Sequence, residues 1–266
     1  MIEIKTEAEI AKMREAGLVV GNTLELLRAA VEPGISTGEL DAIAEKNIRD
    51  SGAVPSFKGY QGFPASICAS INNEIVHGIP ARNRTVRAGD VISLDCGAIV
   101  DGWHGDAAIT IGVGELSPEL RTLLAVCEEA LWQGIAAARL DGRLTDISHA
   151  VETYIRSQGR YGIVEEYGGH GIGSQMHQDP HVLNYGRPGR GPKLVKGMAL
   201  AVEPMINLGS RRTRVLSDDW TVVTEDGSYS AHFEHTFTLT EDGPWVLTAL
   251  DGGTTRIGTT AVAASS

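Results

Sequence analysis

VISLDCGAIVDGWHGDAAITIG, residues 91–112, reads as two β-strands joined at Asp101-Gly102, a two-residue hairpin signal. Pairing outward from that turn sets Val100 against Trp103 and Gly97 against Asp106. Asp95 then lies diagonally across from Asp106 on the same face, with Cα atoms roughly 7–8 Å apart. Aspartate disfavours strand interiors and is seldom buried unpaired. Two carboxylates in this relation repel one another unless they grip a cation between them. A bulged edge hairpin with solvated aspartates is the competing explanation at this point.

Two later stretches repeat the pattern. Side chains alternate along a strand, so Asp95 shares its face with Ser93 and Gly97, and Asp106 goes with His104, Ala108 and Thr110. In the strand expected at 198–206, Glu203 goes with Ala199 and Ala201, opposite Leu200 and Val202. In the one expected at 231–239, Glu234 goes with His232, Thr236 and Thr238, opposite Phe233, Phe237 and Leu239. Four acids thus sit on faces of small or polar residues with the bulky apolar set behind them. An ordinary sheet with one wet face would mix Lys, Arg and Glu there, and these positions carry none. Gathering four carboxylates in a cleft costs several kcal/mol, on the order of that for buried unpaired charges, unless protons or cations neutralise them. Two divalent ions would cancel the charge, and Asp, Glu and imidazole donors suit Mn, Fe, Co or Zn in a two-metal hydrolytic arrangement. A histidine to complete the set is available in the Gly-rich loop YGGHGIGSQMHQDP, which contains His170 and His177.

Apolar spacing predicts helices over 6–30, from a capping box at Ser36/Glu39 to Gly52, from Ser117-Pro118 through Ile135, and from about Asp146 to Ser157. Further short β-like runs fall at 65–71, 220–224 and 245–249. Helices and strands interleave in a mixed α/β or α+β pattern with no Pro-, Gly- or Ser-rich linker dividing it. GDVISLD at 89–95 resembles GMALAVE at 197–203, each a glycine followed six positions later by a carboxylate, which hints at two related halves. The last residues, GGTTRIGTTAVAASS, lack periodicity and are expected to form a loose tail.

Composition narrows the chemistry. A net charge of −11 has the wrong sign for holding nucleic acid by neutralising phosphates, and suits a protein that collects cations. Three widely spaced cysteines argue against a disulfide framework or a thiolate zinc site, and free thiols fit a reducing compartment. The charged N-terminus has no apolar core of a signal peptide and no stretch approaches a membrane span, so a cytoplasmic protein is expected.

With these residues in view, the chain resembles the type I methionine aminopeptidases from about residue 3 to about residue 250. The motifs are SINNEIVHGIP (70–80), SLDCGAIVDGWHGDAAIT (93–110), GGHGIGSQMHQDP (168–180), MALAVEPM (198–205) and FEHTFTLT (233–240). The resemblance implies an α+β pita-bread fold, two pseudo-symmetric halves around a two-metal site, with a single catalytic domain over 1–250 and a flexible tail over 251–266. It implies Asp95, Asp106, His170, Glu203 and Glu234 as ligands of two divalent metal ions (Co, Mn, Fe, Zn or Ni), with Asp106 and Glu234 bridging. The implied reaction hydrolyses the initiator methionine from nascent chains, preferring a small second residue. Glu203 would shuttle the proton, His177 would stabilise the oxyanion, and His77 would contact the scissile amide. The methionine side chain would lie among Tyr60, Phe63, Cys68, Met176 and Trp220. The expected partners are nascent peptides and, transiently, the ribosome; the expected state is a monomer with no membrane or intrinsic nucleic-acid binding.

There are departures from the family pattern. Relatives usually read HEEP where this chain has His177-Gln178-Asp179-Pro180, often carry an aromatic at the place of Met176, and commonly have Gln where this chain has His232. None removes a ligand. An X-Pro peptidase of the same fold is the nearest rival, but such enzymes carry a further N-terminal domain. A non-catalytic module of the fold would lose ligands, and a two-carboxylate glycosidase would need more aromatic platforms than 5% of residues provide.

Overall fold

The computed structural model describes residues 2–258. The hairpin forms in the expected register, with Gly97 opposite Asp106 and Asp95 opposite Ala108. Asp101 and Gly102 take φ of 49° and 86°, the left-handed pair that a type I′ turn demands.

The hairpin belongs to a nine-stranded sheet. Its strands in chain order are β1 (Val54–Pro55), β2 (Ile67–Ile71), β3 (Val91–Val100), β4 (Trp103–Gly112), β5 (Gly169–Gly171), β6 (Gln178–Val182), β7 (Ala199–Val202), β8 (Glu234–Thr240) and β9 (Gly243–Val246). They lie in the order β1-β3-β4-β8-β7-β5-β6, with β2 also on β3 and β9 also on β8. All pairs are antiparallel. The centre is the short contact of β4 with β8, Glu234 opposite Ala108 and His235 opposite Ala107. The echoing segments become β3 and β7, each one strand out from that centre, so the two halves of the sheet correspond.

Helices cover one face. α1 (Glu7–Ala30) and α2 (Thr37–Asp50) pack on the β3–β4 half, and α3 (Pro118–Ala137) with α4 (Leu144–Gln158) on the other. Thr6 with Glu9 and Ser36 with Glu39 form capping boxes, and Ser117 caps α3 ahead of Pro118. Leu24, Leu27, Ile48, Leu123 and Leu131 from the helices join Ile92, Leu94, Ile109, Leu200, Val202 and Phe237 from the sheet in one apolar core. The apolar sides of all four acid-bearing strand segments therefore face the helices, and the acids face away.

Four expectations are revised. The strands expected at 198–206 and 231–239 are each broken, the first at Pro204, which has no N–H to give a ladder, and the second at Phe233. Their far pieces, Met205–Asn207 and Ser230–His232, form a separate small sheet with Gly162–Ile163. The Gly-rich segment expected as a loop around His170 is a strand, β5. A Cβ on Gly169 would sit 2.2 Å from the Ala201 carbonyl oxygen and one on Gly171 2.1 Å from that of Asp179, so only glycine lets this backbone lie between its neighbours. The tail does not loosen at residue 251: Asp251 accepts from the Gly253 and Thr255 N–H groups, and a helical turn, Thr254–Ile257, follows. Arg256 in that turn reaches Glu128 and Glu129 on α3. The rest of the expected tail, 259–266, lies outside the described residues. Among the described residues no helix is long and apolar enough to cross a membrane.

Candidate metal centre and substrate pocket

Five adjacent strands each deliver one candidate ligand. Asp95 stands on β3, Asp106 on β4, Glu234 at the start of β8, Glu203 just past the end of β7, and His170 in the middle of β5, opposite Ala201. The break at Pro204 leaves Glu203 at the sheet's lip. His170 Nε2 lies 3.6 Å from Glu203 Oε1 and 3.9 Å from Glu234 Oε1. Ligand atoms of Asp106, His170 and Glu234 all fall within 4.8 Å of one another.

A sixth side chain joins them. His232 Nε2 is 3.5 Å from Glu203 Oε2, and Glu203, His232 and Glu234 form a second group of the same compactness. Two imidazoles thus flank Glu203, one at each carboxylate oxygen. The sequence reading placed His232 on the face of Glu234 and marked it as a departure from the family pattern, but did not count it among the ligands; that shared face was the available signal.

The electrostatics are those of a site built for cations. Asp106 and Glu234 are 3% and 2% exposed. Burial raises Asp95 to about 7 and Glu203 to about 8, and burial followed by the neighbouring carboxylates pushes Asp106 and Glu234 well above the carboxylate range. Burial lowers His170 to about 3, so its ring is neutral at pH 7 and open to a metal. Asp95 Oδ1, Asp106 Oδ1, Glu234 Oε1 and His232 Nε2 are buried without any hydrogen-bond partner. Orphaned buried acceptors of this kind are rare and demand an explanation. Hard carboxylate oxygens with one or two imidazole nitrogens are a donor set that fits first-row divalent ions.

A cavity of about 900 Å³ opens onto this centre. Phe63, Cys68 and Met176 pack together with Tyr60 and Trp220 along one wall, joined by Phe57, Ala65 and Ile79, which sequence reading did not single out. Phe63 meets Trp220 edge-on at 5.0 Å between ring centroids. Cys68 pairs with Asp95 in the β2–β3 register, yet burial pushes its thiol well up, so it serves the wall as a neutral, polarizable group. His77 and His177 both line the cavity. His77 sits at φ 61°, a left-handed conformation costly for a non-glycine residue, and meets the rings of Tyr167 and Trp220 edge-on. His177 meets the His170 ring edge-on, centroids 4.3 Å apart, and its Nδ1 is 2.9 Å from the Tyr60 hydroxyl. The structure therefore brings together every residue expected of the site.

Known proteins resemble this chain in sequence and in fold. The model of metallopeptidase family M24 matches residues 11–241. A curated methionine aminopeptidase of Clostridium acetobutylicum is 54% identical over 93% of this chain and 99% of its own length. The crystal structure of methionine aminopeptidase from Thermotoga maritima superposes with a TM-score of 0.92 at 41% identity, covering 94% of this chain and all of that one. The Xaa-Pro dipeptidase of Bacillus anthracis shares the fold at a TM-score of 0.72 and 26% identity, but this chain spans only 61% of it.

Proposed function

The chain belongs to metallopeptidase family M24, and from that premise we propose that it is a methionine aminopeptidase of pita-bread fold, hydrolysing the peptide bond after an N-terminal methionine. The observation that carries the reading is the convergence of five donor side chains from five adjacent strands, with unpartnered buried oxygens, at the floor of an apolar pocket. The rival X-Pro peptidase activity is disfavoured by full-length coverage of the methionine-specific relative against partial coverage of the dipeptidase.

In this reading Asp95, Asp106, His170, Glu203 and Glu234 hold two divalent ions, Co, Mn, Fe, Zn or Ni, and His232 stands beside them. Bound there, the ions would supply Lewis-acid activation of water and of the scissile carbonyl. The chain's own groups do the rest. Tyr60, Phe63, Cys68, Met176 and Trp220 take the methionine side chain, where apolar walls and sulfur suit a thioether. Glu203, ionised once the ions are bound and made a stronger base by its burial, would accept a proton from water and return it to the leaving amine. The Tyr60 hydroxyl lies 2.9 Å from His177 Nδ1; if it donates there, the His177 proton stands on Nε2, the tautomer needed to donate to a tetrahedral oxyanion. His77, fixed between Tyr167 and Trp220, contacts the scissile amide. A single catalytic unit over 1–250, acting as a cytoplasmic monomer on nascent chains with transient ribosome contact, completes the reading; the net charge of −11 supports contact that is brief.

The test is turnover of Met-Ala and Met-Gly peptides. Chelated protein should release no methionine and regain activity on addition of Mn, Co or Fe; full turnover in excess chelator would exclude the reading.

A further inference from the structure

The chain's first residues border the cavity, with Glu3 part of its lining. Ile4 bridges to Met198, and the Lys5 N–H donates to the Gly197 carbonyl at 2.9 Å, which pins a short N-terminal strap beside the sheet. Lys5 is 6% exposed, unusual for an ammonium group, and its Nζ donates to the Glu3 carbonyl at 3.1 Å and to Gln178 Oε1 at 3.3 Å. Gln178 Nε2 donates to Glu3 Oε2 at 2.8 Å. The other Glu3 oxygen accepts from Ser174 Oγ at 2.8 Å, and Oε2 also accepts from the Ser174 N–H at 3.2 Å. At Gly173 the strap lies so close that a Cβ would sit 2.3 Å from Glu3 Oε2 and 2.4 Å from Lys5 Cε.

These contacts seize the segment 173–178 at both ends, and between those ends stand Met176 and His177. We infer that Glu3 and Lys5 are positioning residues: they latch Ser174 and Gln178 and thereby set where the pocket wall and the oxyanion donor stand. The inference rests on the functional roles proposed for those two residues. Gln178 is suited to the task because its amide gives to the Glu3 carboxylate and takes from the Lys5 ammonium at once. A glutamate there, as in the relatives' HEEP pattern, would set a second carboxylate against Glu3. This chain's departure from the family pattern and its Glu3–Lys5 pair, of which the lysine is buried, are thus two parts of one device.

The test uses full-length, metal-loaded protein with Glu3→Gln, Gln178→Glu, the double exchange and, as a plain loss, Glu3→Ala. Amide hydrogen exchange over 173–178 and steady-state kinetics on a Met-Ala peptide are read together. Each single variant should speed exchange in that segment about tenfold or more, as loss of a charge-assisted hydrogen bond implies. Each should lower kcat/KM by a similar factor with metal content unchanged. The double exchange, which restores a carboxylate–amide pair with reversed polarity, should bring both back to within about threefold. Unchanged exchange in the single variants would overturn the latch, as would faster exchange with undiminished kcat/KM or failure of the double exchange to rescue a folded protein. If the wild type released no methionine while exchange still followed the predicted pattern, the latch would stand and the functional reading would fall.

Discussion

Stripped of metal, the protein should lose stability as pH rises from 7 to 8.5, a trend opposite to that set by its buried histidines at lower pH. Stability changes with pH by about 1.4 kcal/mol per pH unit for each proton held by one state and not the other. His170, lowered to about 3, and His77, lowered to about 4, are neutral in the fold but protonated in the unfolded chain below about 6.5. They make stability climb with pH up to that point and then fall silent. The carboxyls act the other way. Glu203 at about 8 keeps its proton in the fold while an unfolded glutamate has lost it by about pH 5. The stability it contributes is full at low pH and is lost as pH rises toward 8. Asp106 and Glu234, pushed higher still, add to the same slope.

Between pH 7 and 8.5 the carboxyls therefore dominate, and the metal-free protein should weaken by about 1–4 kcal/mol per pH unit, one to three protons' worth. For a chain of this size that lowers Tm by about 2–4 °C per kcal/mol. Scanning calorimetry of chelated protein at half-unit pH steps, beside protein saturated with Mn or Co, measures it. The loaded protein should show little slope, since bound cations hold the carboxylates ionised, and the gap between the two should widen with pH. A metal-free Tm that stays level or rises from pH 7 to 8.5 would refute the reasoning.

Three further outcomes are expected. His177→Ala should retain its metal and lose about 10²–10³-fold in kcat, as removal of one oxyanion donor does; loss of metal with rate, seen by elemental analysis beside kinetics, would make His177 structural. Trp220→Ala removes the ring that braces Phe63 and His77, and kcat/KM on Met-Ala peptides should fall about tenfold or more with metal content unchanged; undiminished kcat/KM would move the methionine pocket elsewhere. Phe237, fully buried on β8, should cost about 3–5 kcal/mol when cut to Ala in urea unfolding of the metal-saturated protein, and a loss under about 1 kcal/mol would contradict its place in the core.

What could be read in the sequence was local or periodic. Asp101-Gly102 fixed the hairpin register by turn chemistry, and alternation alone put Asp95, Asp106, Glu203 and Glu234 on one side of the sheet. The capping box at Ser36 was legible for the same reason, since it lies within one turn of chain. β5 was hidden because its glycines look like a loop, and their purpose, close approach to Ala201 and Asp179, exists only in three dimensions. Alternation placed His232 beside Glu234, but its approach to Glu203 joins residues of separate strands and exists only in the fold. Least visible was the strap: Lys5 and Gln178 are 173 residues apart, and a lysine near the N-terminus gives no sign that the fold will bury it.

The central claim is that the gathered carboxylates and imidazole exist to hold a pair of dications. Equilibrium dialysis against Mn or Co, followed by metal analysis, puts it to trial most directly. Two ions per chain should be retained, and Asp106→Ala, which removes an acid that the family resemblance expects both ions to share, should retain fewer than one. No metal bound under saturating conditions, or an unaltered count in Asp106→Ala, would contradict the account.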